Sequence, residues 1–138
     1  MSFGEIYQIA GAGMNAQSIR LNTVASNLAN AGAAAKNPDD AYRALKPIFS
    51  TIYNQVDGHV TGAQVEVAAI VETDAPLDMR YEPDHPFANE QGYVAYSNVN
   101  TVDEMADMMA ASRAFETSVE VMNRARSMQQ GLLQLGAK

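Results

Sequence analysis

A net charge of -7 on 138 residues, with no basic stripe, excludes a general grip on nucleic acid. The absence of cysteine excludes a disulfide framework and a thiolate metal site. No run approaches the roughly 18 apolar residues of a membrane span, and no Lys or Arg precedes Arg20, so neither membrane insertion nor a cleaved secretory signal is expected.

Residues 3–30 read as a first long helix. Phe3, Ile6, Ala10, Met14, Gln17, Leu21, Val24, Leu28 and Ala31 recur at intervals of three and four, which lines them up on one stripe. Gly4, Gly11 and Gly13 each cost about 1 kcal/mol relative to Ala inside a helix, so the first turns should be the weakest. From Met14 to Ala31 the only charge is Arg20. Amides and hydroxyls such as Asn15, Ser18, Asn22, Thr23, Ser26, Asn27 and Asn30 stand where Glu and Lys would suit water. Asparagine is a poor helix former. Solvent exposure is the plain reading of Asn22, Asn27 and Asn30, but the lack of charge around them favours hydrogen bonds between helices, as buried Asn makes in coiled coils.

Gly32, Pro38 and the pair Asp39-Asp40 break the pattern and mark a linker. Residues 48–53 are β-branched and aromatic, with Pro47 at the entrance, and residues 64–71 alternate with a period of two. Asp57-Gly58 and Gly62 supply turn chemistry between them, predicting an antiparallel hairpin with a longish loop and His59 in its turn. Residues 74–100 look irregular because of Pro76, Pro83 and Pro86, apart from a short strand at Tyr93-Val94-Ala95-Tyr96. This middle is acidic: residues 57–90 carry Asp57, Glu66, Glu72, Asp74, Asp78, Glu82, Asp84 and Glu90 against Arg80 alone.

A second long helix is predicted over residues 102–135. Thr101-Val102-Asp103-Glu104 fits a capping box. Val102, Met105, Met109, Ser112, Phe115, Val119, Met122, Arg126, Gln129 and Leu133 trace one stripe, widened by Met108, Ala125, Met128 and Leu132, and Glu120 with Arg124 forms an i,i+4 pair. The fold expected is therefore mostly α with a small β module. The terminal helices, residues 1–31 and 101–138, form one discontinuous domain and pair as a coiled-coil-like antiparallel hairpin. Residues 32–100 supply a linker and a β-rich outer module too small for a strong core of its own. Both stripes are too broad for one partner to cover, so other chains are expected to complete them.

Other chemistry in the chain has weaker claims. Gly11-Ala12-Gly13-Met14-Asn15-Ala16 matches the dinucleotide fingerprint, but no βαβ unit surrounds it and no acid lies about 20 residues on. Glu82, Asp84, His85 and Glu90 lack helical ligand spacing and read as a solvated loop. Two histidines and no Gly-x-Ser-x-Gly turn leave few players for a triad. Met105, Met108, Met109, Met122 and Met128 suit either a core or an interface that must adapt to unlike neighbours.

The run from Ala16 to Ala31, AQSIRLNTVASNLANA, resembles the N-terminal signature of bacterial flagellar rod and hook axial proteins. His85-Pro86-x-Ala88-Asn89-Glu90-x-Gly92-Tyr93-Val94, followed by Asn98-Val99-Asn100-x-Val102-x-Glu104-Met105 and by Ala111-Ser112-Arg113-Ala114-Phe115-Glu116, resembles their C-terminal signature. Ser97 stands where a proline is more usual, and the short middle suits the proximal rod rather than the distal rod or hook. The resemblance implies a structural, non-catalytic and cofactor-free subunit of the basal-body rod, exported unfolded by the flagellar type III apparatus. Its partners would be other copies, proximal and distal rod proteins and a rod-base adaptor. On the first helix the expected assembly interface comprises Gln17, Leu21, Asn22, Val24, Asn27, Leu28 and Asn30. It continues through Asn98 and Asn100 to Met105, Met109, Phe115, Val119 and Met122. The alternatives are a soluble helical adaptor or chaperone-like protein and, more remotely, a dinucleotide-binding enzyme.

Overall fold

The structure is a computed structural model that describes residues 2–56 and 59–136. Two long helices, α1 (Phe3–Ala29) and α2 (Thr101–Gly136), bracket the β strands. α1 opens on a capping box: the Ser2 hydroxyl accepts from the Glu5 amide at 3.2 Å, and the Ser2 amide donates to the Glu5 carboxylate at 2.6 Å. It closes at Asn30, whose side chain donates back to the Ser26 carbonyl at 2.8 Å.

α2 does not start with the expected capping box. Asn100 caps it instead, its side-chain oxygen accepting from the Val102 amide at 3.0 Å while its amide donates to Asp103 at 2.8 Å. Asparagine caps at least as well as threonine, and moving the cap one residue back releases Glu104 to face inward.

The helices run antiparallel. Tyr7 meets Gln129, Arg20 meets Asp107 and Asn27 meets Glu104, so positions rise on one helix as they fall on the other. Their seam is built from small side chains: Ala10 and Ala16 of α1 and Ala111 and Ala125 of α2 are buried, and a Cβ placed on Gly13 would lie 3.3 Å from the Ser118 hydroxyl. Close approach, rather than bulk, selects this face. The inner line of α2 accordingly runs through Glu104, Met108, Ala111, Phe115, Ser118, Met122 and Ala125. That line shares Met108, Phe115, Met122 and Ala125 with the predicted stripe, whereas Val102, Met105, Met109 and Leu133 of the stripe are exposed.

The hairpin is longer than predicted. β2 (Leu45–Val56) and β3 (His59–Glu72) pair antiparallel from Leu45↔Glu72 to Val56↔His59, with register shifts at Ile48/Phe49 and Asn54/Gln55. The ladder leaves no longish loop, and His59 belongs to β3; the Asp57-Gly58 turn lies outside the described residues. A two-stranded hairpin is marginal alone. This one packs against α1, where a Cβ on Gly62 would sit 4.0 Å from Ile9 Cδ1.

The short strand expected at Tyr93–Tyr96 is present, and it is flanked by a linker strand and by a strand within the stretch expected to be irregular. β1 (Ala34–Ala35), β5 (Tyr93–Tyr96) and β4 (Asp78–Tyr81) form three antiparallel strands in the order β1-β5-β4. Pro76 and Pro83 flank β4 instead of interrupting it, so the ladder loses no donor to them. Val94 and Ala95 are buried at its centre. Gly92, entering β5, has φ 82°, and a Cβ there would meet Tyr81 Cε2 at 2.8 Å. Only glycine fits that turn.

Candidate functional site

Among the described residues the most completely bonded side chain is Asn27, which is 0% exposed. Its amide donates to the Leu45 carbonyl and to Glu104 Oε2, both at 2.9 Å. Its oxygen accepts from the Leu45 amide at 2.8 Å and from the Tyr42 hydroxyl at 3.0 Å. That fills every hydrogen-bonding position an asparagine side chain has. One residue of α1 thereby holds the root of β2, the start of α2 and the linker tyrosine together.

Glu104 is 2% exposed, and its other oxygen accepts from Lys46 Nζ at 2.7 Å. Lys46 also reaches Asp107 at 3.4 Å, and Asp107 in turn accepts from Arg20 at 2.9 Å. A buried carboxylate needs both a counter-charge and hydrogen bonds to be tolerated, and here it has both. Burial pulls the Lys46 ammonium down, but the hydrogen bond and charge of Glu104, helped by Asp107, outweigh it and hold the group above its ordinary value.

Asn98 does for the other side of the root what Asn27 does for its inner side. Its oxygen accepts from the Ala44 amide at 2.7 Å, and its amide donates to the carbonyls of Ala75 at 2.8 Å and Thr73 at 3.2 Å. Beside it the Ser97 hydroxyl donates to the Ala31 carbonyl at 2.7 Å and the Ser97 amide to the Ala33 carbonyl at 3.1 Å. A proline at this position would make neither bond.

The residues expected at an assembly interface therefore separate. Asn27 and Val24 lie in the chain's own interior, and Asn98 and Asn100 serve as a loop clamp and a helix cap. Gln17, Leu21, Leu28, Asn30, Phe115, Val119 and Met122 are half-buried. The Gln17 side-chain oxygen is enclosed with no hydrogen-bond partner among the described residues. Asn22, Met105 and Met109 face outward, Met105 at 57% exposure.

Sequence reasoning missed Glu104, Lys46 and Tyr42. The signal available was Arg20, the single charge between Met14 and Ala31, which needs an opposite charge across the seam and finds Asp107. The Gly11-x-Gly13 motif lies inside α1, not in a strand-to-helix turn, so its amides are spent on the helix and not presented to a phosphate. In the acidic loop His85 Nδ1 accepts from the Phe87 amide at 3.1 Å, and Tyr96 donates to Glu82 at 2.9 Å. Among the described residues no group of three or more His, Asp or Glu is placed to hold a metal ion, and no helix is long and apolar enough to cross a membrane.

Comparison with known proteins bears on the same two segments. Residues 8–32 match the family described as flagella basal body rod protein, and residues 90–135 match the flagellar basal body rod FlgEFG protein C-terminal family. The chain is 43% identical to the flagellar basal-body rod protein FlgC of Escherichia coli O157:H7, with 99% of each chain covered. It is 41% identical to FlgC of Salmonella typhimurium over the same share, and 33% identical to FlgC of Borreliella burgdorferi over 87% of this chain and 88% of that one. The chain belongs to the flagellar basal-body rod protein family. The rod-family segments include most of α1 and all but the last residue of α2, and they meet at Asn27 and Glu104. Rod-family proteins are structural, so the dinucleotide enzyme is set aside.

Proposed function

We propose that this chain is a structural subunit of the proximal part of the flagellar rod, joined to other copies and to sister rod proteins through its terminal helices. Residues 1–31 and 101–138 form the inner layer, paired in a coiled-coil-like way, and residues 32–100 form the outer module. The inner line of α2 steps by three and four residues, the rhythm of a coiled-coil seam. The observation that carries the reading is the flank of α2 outside the seam, where Val102, Met105 and Met109 form an uncovered apolar row although the seam with α1 is already filled. Contiguous exposed apolar surface marks a contact with another molecule. Methionine suits neighbours that are not identical.

Its work is mechanical. Contacts between unlike surfaces stack subunits without closing, which is what a shaft requires, and they pass torque from one subunit to the next. We further propose delivery by the flagellar type III apparatus without a cleaved signal, a route compatible with a chain that has no disulfide to form. The test is fractionation of cells carrying a tagged chain. The tag is expected in detergent-washed basal bodies, and deletion of the gene is expected to abolish motility. A tag confined to the cytosol, or full motility after deletion, overturns the proposal.

A further inference from the structure

We infer, resting on the rod-subunit reading, that the C-terminal end of α2 seats in an apolar groove of a second copy. The groove lies between both helices and the hairpin. It encloses about 750 Å³ and is lined by Ile6, Ile9, Gly13, Val65, Ser118 and Val121 among other uncharged residues. The end of α2 is its counterpart: residues 127–136, SMQQGLLQLG, carry no charge, and Met128, Leu132, Leu133 and Leu135 are exposed, Leu135 at 75%. Leu132 continues the spacing of the inner line, but α1 begins at Phe3 and gives these last positions little to pack on.

The occupant is a second copy for two reasons. α2 is one continuous helix through Gly136, and at about 1.5 Å per residue Leu132 stands roughly 16 Å along the axis from Val121, so it does not fold back into its own groove. Donor and groove are both uncharged and apolar, so although each chain carries a net charge of -7 their contact sets no like charges directly against each other. Donor and groove are different surfaces, so each contact leaves a free groove and a free end, and the contact propagates. A helix end falls short of the roughly 1,200 Å² a stable pair buries, so the seating adds to other contacts in the rod and does not hold a dimer in dilute solution.

The chain lacks cysteine, which gives disulfide trapping a clean background. Cells would co-express Val65→Cys and Leu133→Cys copies, one tagged, with oxidation of isolated basal bodies. Ala63→Cys with Leu135→Cys is a second, independent pair. Each mixed dimer is expected several-fold above the pairing of Leu133→Cys with Asp84→Cys on the outer loop. Basal bodies that contain the variants without this enrichment overturn the seating and leave the rod reading intact. A disulfide from Leu133→Cys to a different protein overturns the second copy as occupant. Absence of the wild-type chain from basal bodies overturns the rod reading itself.

Discussion

Glu104 and Met105 are neighbours with opposite fates. The carboxylate is buried and the thioether is exposed, which inverts the ordinary preference of both side chains. The difference lies in who supplies the partner. Glu104 has Asn27 and Lys46 in its own chain, so it can be desolvated within the monomer. Met105 stays 57% exposed with no such partners among the described residues, and in the assembly proposed above its burial falls to another molecule. Two faces of one helix thus differ: one fixes the subunit's shape, and the other is left for the assembly contact proposed above.

The sharpest way to break the comparison is at Asn27. Asn27→Asp puts a second carboxylate beside Glu104 and removes both amide donors, with an expected loss of about 3–5 kcal/mol, the range for an uncompensated buried charge. Urea unfolding of the purified chain would measure it, and a loss below about 1 kcal/mol would mean the hub holds little. Gly92→Ala comes next. The positive φ and the contact with Tyr81 predict a loss of about 1–3 kcal/mol, read as a lowered melting temperature.

Lys46→Met should cost less, about 1–2 kcal/mol, because the lysine head reaches solvent and Asn27 still serves Glu104. The same pair predicts a pH dependence. The folded-state value of Lys46 is raised above its ordinary 10.5, so its contribution is complete below that pH and is lost as pH rises through the folded value. Wild-type stability should therefore decline in the alkaline range more steeply than that of Lys46→Met, in melts run from pH 9 upward.

The smallest expected effect on stability is on the outward row. Met105→Glu with Met109→Glu should change the unfolding free energy of the monomer by no more than about 0.5 kcal/mol, as exposed substitutions do. Motility and incorporation into basal bodies should nevertheless be lost. Swimming at the wild-type rate would show that this face meets no neighbour.

Much of the fold was legible. The three-and-four rhythm located both helices to within a residue or two at each end, and the β-branched runs located the hairpin. The aromatic and β-branched run at Tyr93–Tyr96 located β5, but the alanine pair of β1 and the charged, proline-flanked β4 carry no such signal and become strands because β5 lies between them. Thr101-x-x-Glu104 satisfied the local grammar of a cap and misled, because a buried partner 77 residues away competed for the same carboxylate. The asparagines were recognised as out of place on a solvated helix, but their jobs differ: Asn27 joins three elements, Asn30 ends α1 and Asn22 faces outward.

What the sequence determined by itself was periodicity, charge distribution and the two terminal signatures, because each is a property of neighbours along the chain. What only the tertiary structure decided was which face of each helix turns inward. The largest hydrophobic side chains did not choose it. Small residues at Ala10, Gly13, Ala16, Ala111 and Ala125 let the backbones approach closely, and the bonds among Asn27, Lys46 and Glu104 fixed the register. Close packing and buried polar pairing both need two segments in place before either has any value, and no single stretch of sequence carries that information.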